Sequence, residues 1–189
     1  MPGREEIARA LTGAWLLWRG DPTAMRWFDL TVEGFWRSFF AAVLVAPFYV
    51  FMLTTDYLEN GLPAPFALVV LVRGIAYVVD WAAFPLVAIL LVRLFGLEHR
   101  YVALIVADNW ASVLQAAALT TAVVVSLALP MAVAALIVLG TFVTVVFYQW
   151  LVARQALETT GGIAGGFVAA DLLTGILVDR VVSSLLYAS

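Results

Sequence analysis

The 189-residue sequence contains no cysteine and no lysine, a single histidine, and few charges of either sign. Without cysteine there are no disulfides, no thiolate metal sites and no cysteine nucleophile. The one histidine, His99, follows Glu98 in a short connecting segment and reads as an interfacial residue rather than a catalytic base. Charged residues make up 12% of the chain, against about 25% in soluble domains. No basic block interleaved with aromatics points to nucleic acid. There is no nucleophile–base constellation, no glycine-rich phosphate loop and no quartet of metal ligands, so the expectation is a non-enzyme without metal or cofactor.

What fills the chain instead is apolar. Hydrophobic residues account for 65% and the mean hydropathy is +1.03. They fall in blocks of about 20, the length that crosses a hydrocarbon core of about 30 Å. The expected fold is all-α: a polytopic integral membrane bundle of five transmembrane helices, preceded by one or two short interfacial amphipathic helices. Residues 1–34 form the N-terminal interfacial region and 35–189 the transmembrane domain. The spans are expected at about 35–55, 64–93, 101–127, 131–153 and 164–187. The second is long and contains Pro85, so it must tilt, bend or protrude.

Near the N-terminus, Ile7, Leu11, Ala14, Trp15 and Trp18 share one helical face. That spacing suits a helix lying at headgroup depth or docked on the protein itself. Residues 10–18 are interrupted by Thr12 and Gly13 and lack a clean cleavage site, unlike a signal peptide. Asp21-Pro22 predicts a helix start running to about Leu30, and Asp29 or Thr31 can cap the next helix.

The arginines set the expected orientation. Arg4, Arg9, Arg19, Arg26 and Arg37 precede or open the first span, Arg93 and Arg100 flank the second connection, and Arg154 the fourth. The loop at 56–63 carries no arginine, and the third connection carries no charge. This alternation is the positive-inside pattern of five spans with a cytoplasmic N-terminus and an external C-terminus, as in a bacterial inner membrane.

The spans carry more polar residues than lipid tolerates. Asp108, Ser112 and Gln115 fall at i, i+4, i+7, with Asn109 beside them. Arg73, Tyr77 and Asp80 share a face of the second span; Asp171, Gly175, Asp179 and Ser183 share one on the fifth, with Arg180 off to the side. Thr141, Thr144 and Tyr148 do so on the fourth. These faces are expected to converge on the bundle interior, because a polar group exposed to hydrocarbon costs kilocalories. By depth, Arg73 suits an ion pair with Asp179, and Asp108 can meet Asp171. Four aspartates against two arginines leaves acids that must be protonated, hydrated or neutralised by a bound cation. Serines and threonines within spans are more often interhelical glue, at about 0.6 kcal/mol each. The GGIAGG segment at 161–166 overlays two GxxxG patterns, so Gly161, Gly162, Gly165 and Gly166, with Gly175 beyond, are candidates for close helix contact.

The layout resembles the Yip1-like family of five-span membrane proteins. The stretch FDLTVEGFWRSFFAAVLVAPFYV at 28–50, with its aromatic-Arg-Ser entry and its proline within the span, is similar to the first-span region of bacterial proteins of this kind. The resemblance implies membrane organisation or trafficking-type scaffolding through helix contacts with other membrane proteins, and supplies no catalytic residues. Two functional expectations stand together. One is a membrane scaffold or interaction protein. The other is a small oligomeric transporter or channel whose intramembrane aspartates handle protons, cations or a small polar solute. The expected partners are the bilayer and further copies of this chain or other membrane proteins.

Overall fold

The structure, a computed structural model, describes residues 1–60 and 65–187. Among these residues it is all-helical, without strands. The elements are α1 (Arg4–Trp18), α2 (Val32–Ser38), α3 (Phe40–Asn60), α4 (Phe66–Phe95), α5 (Tyr101–Ser126), α6 (Met131–Leu157) and α7 (Gly161–Tyr187). Short 3-10 turns occupy Ala24–Trp27 and Glu98–Arg100. Among the described residues, five helical segments are long and apolar enough to cross a membrane.

Local chemistry explains the boundaries. Thr31 is the N-cap of α2: its hydroxyl accepts from Gly34 N at 3.0 Å. Asp29 holds Thr31 in place, accepting from its N at 3.0 Å and its Oγ1 at 2.7 Å. That carboxyl sits below its ordinary range, first because of the Thr31 hydroxyl, then the Thr31 N–H, with Arg37 adding to both. Gly96 ends α4 at φ 67°, a left-handed position that suits glycine. Glu158 ends α6 at φ 48° without being glycine, and its carboxylate accepts from Arg100 across the same end of the bundle.

Two segments differ from the sequence-based expectation, and the continuity of the second span, which the sequence left open, is now given. The helix foreseen from Asp21-Pro22 to Leu30 does not form. Asp21 Oδ1 accepts from Thr23 N at 2.8 Å and from Thr23 Oγ1 at 2.7 Å, and this local turn competes with helix propagation. The chain then passes under α1, where a Cβ on Gly13 would lie 2.9 Å from Trp27 Cβ. The first span is interrupted at Phe39 and then runs beyond Thr55 to Asn60, so the loop foreseen at 56–63 is helical in its first half; its residues 61–63 lie outside those described. Pro85 does not break α4, which is one 30-residue helix.

The helix α5 is central. Half of its spanning window is buried, against 11–17% in the other four, so it can carry polar residues without presenting them to lipid. It packs on α6, α3, α1 and α2, while α4 packs chiefly on α7 and α7 also on α6. The outward faces of α3, α4, α6 and α7 are lined with exposed apolar residues such as Val43, Leu71, Leu86, Leu136 and Leu177.

One end of the bundle gathers α1, α2 and the termini of α4 to α7. Here Ala10, Ala14 and Leu17 of α1 are buried among Leu104, Ala107, Val152 and Phe167 in one hydrophobic core. The apolar face of α1 therefore turns toward protein; Ile7, Leu11 and Trp18 pack against this core, and Trp15 is left half exposed. Tyr148 donates to Ala14 O at 2.7 Å. Arg37 bonds Glu6 at 2.9 Å and Asp29, tying α1, its following loop and α2 together. A second, smaller core of Val69, Ala76, Val182 and Leu186 joins α4 and α7 toward the other end.

Candidate functional site

Between the α4–α7 pair and the α3–α5 pair lies a cleft of about 360 Å³. Its walls come from every spanning helix: Val45 and Tyr49 of α3, Arg73 to Pro85 of α4, Asp108 to Gln115 of α5, Gln149 of α6, and Asp171 to Asp179 of α7. The helical spacing on α5 brings Asp108, Asn109, Ser112 and Gln115 to it together, and α4 contributes Arg73, Tyr77 and Asp80 one turn apart. α7 contributes Asp171, Gly175 and Asp179 in the same way.

The cleft is polar at both levels. Toward the end away from α1, Arg73 donates to Asp179, and its second terminal nitrogen reaches Ser183 Oγ at 3.4 Å. Arg180, foreseen near this pair, takes no part: it lies exposed on the next face of α7, outside the ion pairs formed among the described residues. Two tyrosines bridge α3 and α4 beside the pair. Tyr49 donates to Arg73 O at 3.1 Å and Tyr77 to Ala42 O at 2.6 Å, with their rings 4.7 Å apart. At the deeper level Gln149 donates to Asp171. Asp108 is part-buried here and, like the exposed Asp80, has no hydrogen-bond partner among the described residues. Gln115 Nε2 is also buried without one.

Several foreseen roles change. Asn109 is buried and donates to Ser38 Oγ at 2.8 Å, fixing α2 to α5, while Ser38 donates to Phe35 O. Ser112 donates to its own helix at Asn109 O, so its hydroxyl is not interhelical glue. The face of α6 that meets the cleft is not the one foreseen: Thr144 is exposed and donates to Gly140 O, and Tyr148 turns to α1. Gln149, one residue further round, is the α6 contribution, a residue the sequence reading did not select. Of the five candidate contact glycines on α7, only Gly161 is in close contact, where an added Cβ would meet Trp150 Cζ2 at 2.9 Å; Trp150 Nε1 also donates to Gly161 O. Around Gly162, Gly165, Gly166 and Gly175 an added Cβ meets nothing within 4 Å, so their spacing serves no close helix contact inside this chain.

The electrostatic balance of the site is acidic. Among the described residues Arg73 is the only basic one lining the cleft, and it is paired to Asp179, leaving Asp80, Asp108 and Asp171 without a counter-charge in the wall. No family model, no curated protein and no solved structure matches this chain, so the reading of the site rests on its chemistry.

Proposed function

We infer that this is a five-span integral membrane protein whose polar cleft takes up a cation in exchange for protons. The carrying observation is the set of three carboxyl groups, Asp80, Asp108 and Asp171, lining one cleft whose sole basic residue is already paired. In a low-dielectric surround such groups hold protons or a cation rather than stand as bare charges. Ionisable residues placed within a bilayer are expensive, which argues for a use beyond packing. The bilayer is the surround that the exposed apolar faces of the spanning helices suit. The orientation we propose puts the α1 end in the cytoplasm, because eight of the ten arginines (all but Arg73 and Arg180) gather there. The half-exposed Trp15 then sits at headgroup depth.

The test is uptake in proteoliposomes carrying an internal pH indicator. Addition of a transported cation should produce a pH change inside. Asp108→Asn, which preserves shape and removes the titratable charge, should abolish that change while leaving thermal stability within about 0.5 kcal/mol. Signals of equal size from the two proteins, or none across a panel of cations, would sink the reading.

The scaffold reading keeps one specific support. Gly162 and Gly166 are exposed one turn apart on α7 with open space around them, a surface onto which another membrane helix can pack closely. This is the arrangement that a Yip1-like role in membrane organisation would use. Crosslinking from Gly166→Cys in native membranes, compared with Leu177→Cys, tests it: a partner trapped at both positions equally would show no preference for the glycine face.

A further inference from the structure

The cleft is not uniformly acidic; its two sides differ in kind. On the α3–α4 side stand Tyr49, Tyr77 and Trp81, an aromatic series with successive ring centroids 4.7 and 6.1 Å apart. Asp108 and Asp171 line the cleft from α5 and α7. A bare metal ion asks for something else. Calcium or magnesium needs six or more oxygen ligands closing on one point, and among the described residues no three histidine, aspartate or glutamate side chains come together in that way. Aromatic faces set among spread carboxylates instead suit a cation whose charge is dispersed over apolar substituents. A volume of about 360 Å³ is in the range of small-molecule sites, roughly 300–1,000 Å³. Asp108, part-buried in the cleft wall and without a hydrogen-bond partner among the described residues, and the buried, unpartnered Gln115 Nε2 are polar groups open to an occupant.

We propose that the occupant of this cleft is a small organic ammonium ion, held between the aromatic rings of α3 and α4 and the carboxylates of Asp108 and Asp171. This rests on the cation-uptake reading above and narrows it to a substrate class. The ammonium charge faces Asp108, its alkyl or aryl substituents lie against Tyr77 and Trp81, and no metal-type coordination shell is required.

The measurement is titration calorimetry on the full chain in phosphatidylcholine nanodiscs with four compounds. These are benzyltrimethylammonium chloride, its uncharged carbon analogue neopentylbenzene, sodium chloride and magnesium chloride. Saturable binding of benzyltrimethylammonium alone is the expected result. Asp108→Asn should weaken it about tenfold or more, a loss of about 1.4 kcal/mol, and Trp81→Leu about threefold. Asp171→Asn serves as the second charge variant if Asp108→Asn fails to fold. Equal heats from neopentylbenzene, or ammonium binding indifferent to both aspartate variants, would overturn the proposal as lipid-like partitioning. Binding of sodium or magnesium without benzyltrimethylammonium would overturn the ammonium assignment and leave the cation reading standing. Binding of none of the four, together with no proteoliposome signal, would overturn both.

Discussion

The α1 end of this bundle and the cleft in its middle place their polar residues differently. At the α1 end most polar side chains are joined to a partner, with Arg100 Nε and Gln155 Oε1 the buried atoms there that have none among the described residues. Arg37 joins Glu6 and Asp29, Tyr148 reaches Ala14 O, Asn109 reaches Ser38, and Arg100 reaches Glu158. Around them the core is dry: Ala14, Ala107, Val152 and Phe167 are fully buried. In the cleft that begins one turn further along α5, polar groups are instead left over. The exposed Asp80 and the part-buried Asp108 have no hydrogen-bond partner among the described residues, and Gln115 Nε2 is buried without one. Paired polar networks rigidify, while carboxyl groups that share a cleft without a counter-charge favour a proton or a cation beside them. On the proposed function, the contrast separates a structural end from a binding cleft along one helix, α5.

Substitutions at the two places should therefore behave differently. The largest loss is expected at the α1 end from Gly34→Ala. An added Cβ there would lie 2.1 Å from the backbone oxygen of Asp29, which cannot yield as a side chain would. Displacing α2 should cost about 3 kcal/mol in thermal or denaturant unfolding; a variant as stable as the parent would break the picture of a tightly fixed end. Next comes Arg73→Ala in the cleft, which strands Asp179 and should cost about 2 kcal/mol, less than a fully buried pair because the Asp179 side chain is 58% exposed. Adding Asp179→Ala should recover part of that loss, and a double variant no better than the single one would show that the pair is not the reason.

Smaller effects sharpen the same comparison. Tyr148→Phe removes one buried hydrogen bond between α6 and α1 and should cost about 1 kcal/mol, seen also as faster proteolysis of the N-terminal segment. The smallest effect is on pH. The Asp29 carboxyl lies below its ordinary value of 3.8 in the folded chain, so its contribution is present above that value. It is lost as the pH falls through the lower folded value. Mild acid should loosen α2 below about pH 4, and Asp29→Asn should remove that dependence at the outset; an identical acid profile in both proteins would assign the loosening elsewhere.

Periodicity made much of this legible. The five long apolar segments are plain in the sequence, and the i, i+4, i+7 spacing of Asp108, Ser112 and Gln115 locates one wall of the cleft, as Arg73, Tyr77 and Asp80 locate another. What periodicity cannot give is the direction in which a shared face turns. On α6 the threonines and Tyr148 do share a face, yet tyrosine's long reach connects it to α1, and Gln149 beside it enters the cleft. The GxxxG spacing has the same weakness, since close approach depends on a neighbour that only packing supplies. The Asp21-Pro22 start was misleading because an aspartate side chain that caps a turn and one that caps a helix use the same chemistry. Of the two residues the sequence offered as the cap of α2, Thr31 is the N-cap and Asp29 braces it, and the apolar run that follows allows the helix to continue.

The chain's lack of cysteine gives a direct measurement of whether the middle of α5 is a water-filled, anionic site. Ser112→Cys lines the cleft and Ala107→Cys lies in the dry core about a turn and a half away on the same helix. Both would be reacted with matched cationic and anionic methanethiosulfonate reagents in intact vesicles. The account expects Ser112→Cys to react readily, and faster with the cationic reagent than with the anionic one, while Ala107→Cys stays inert to both. Equal inertness at the two positions, or a preference for the anionic reagent at Ser112→Cys, would contradict it.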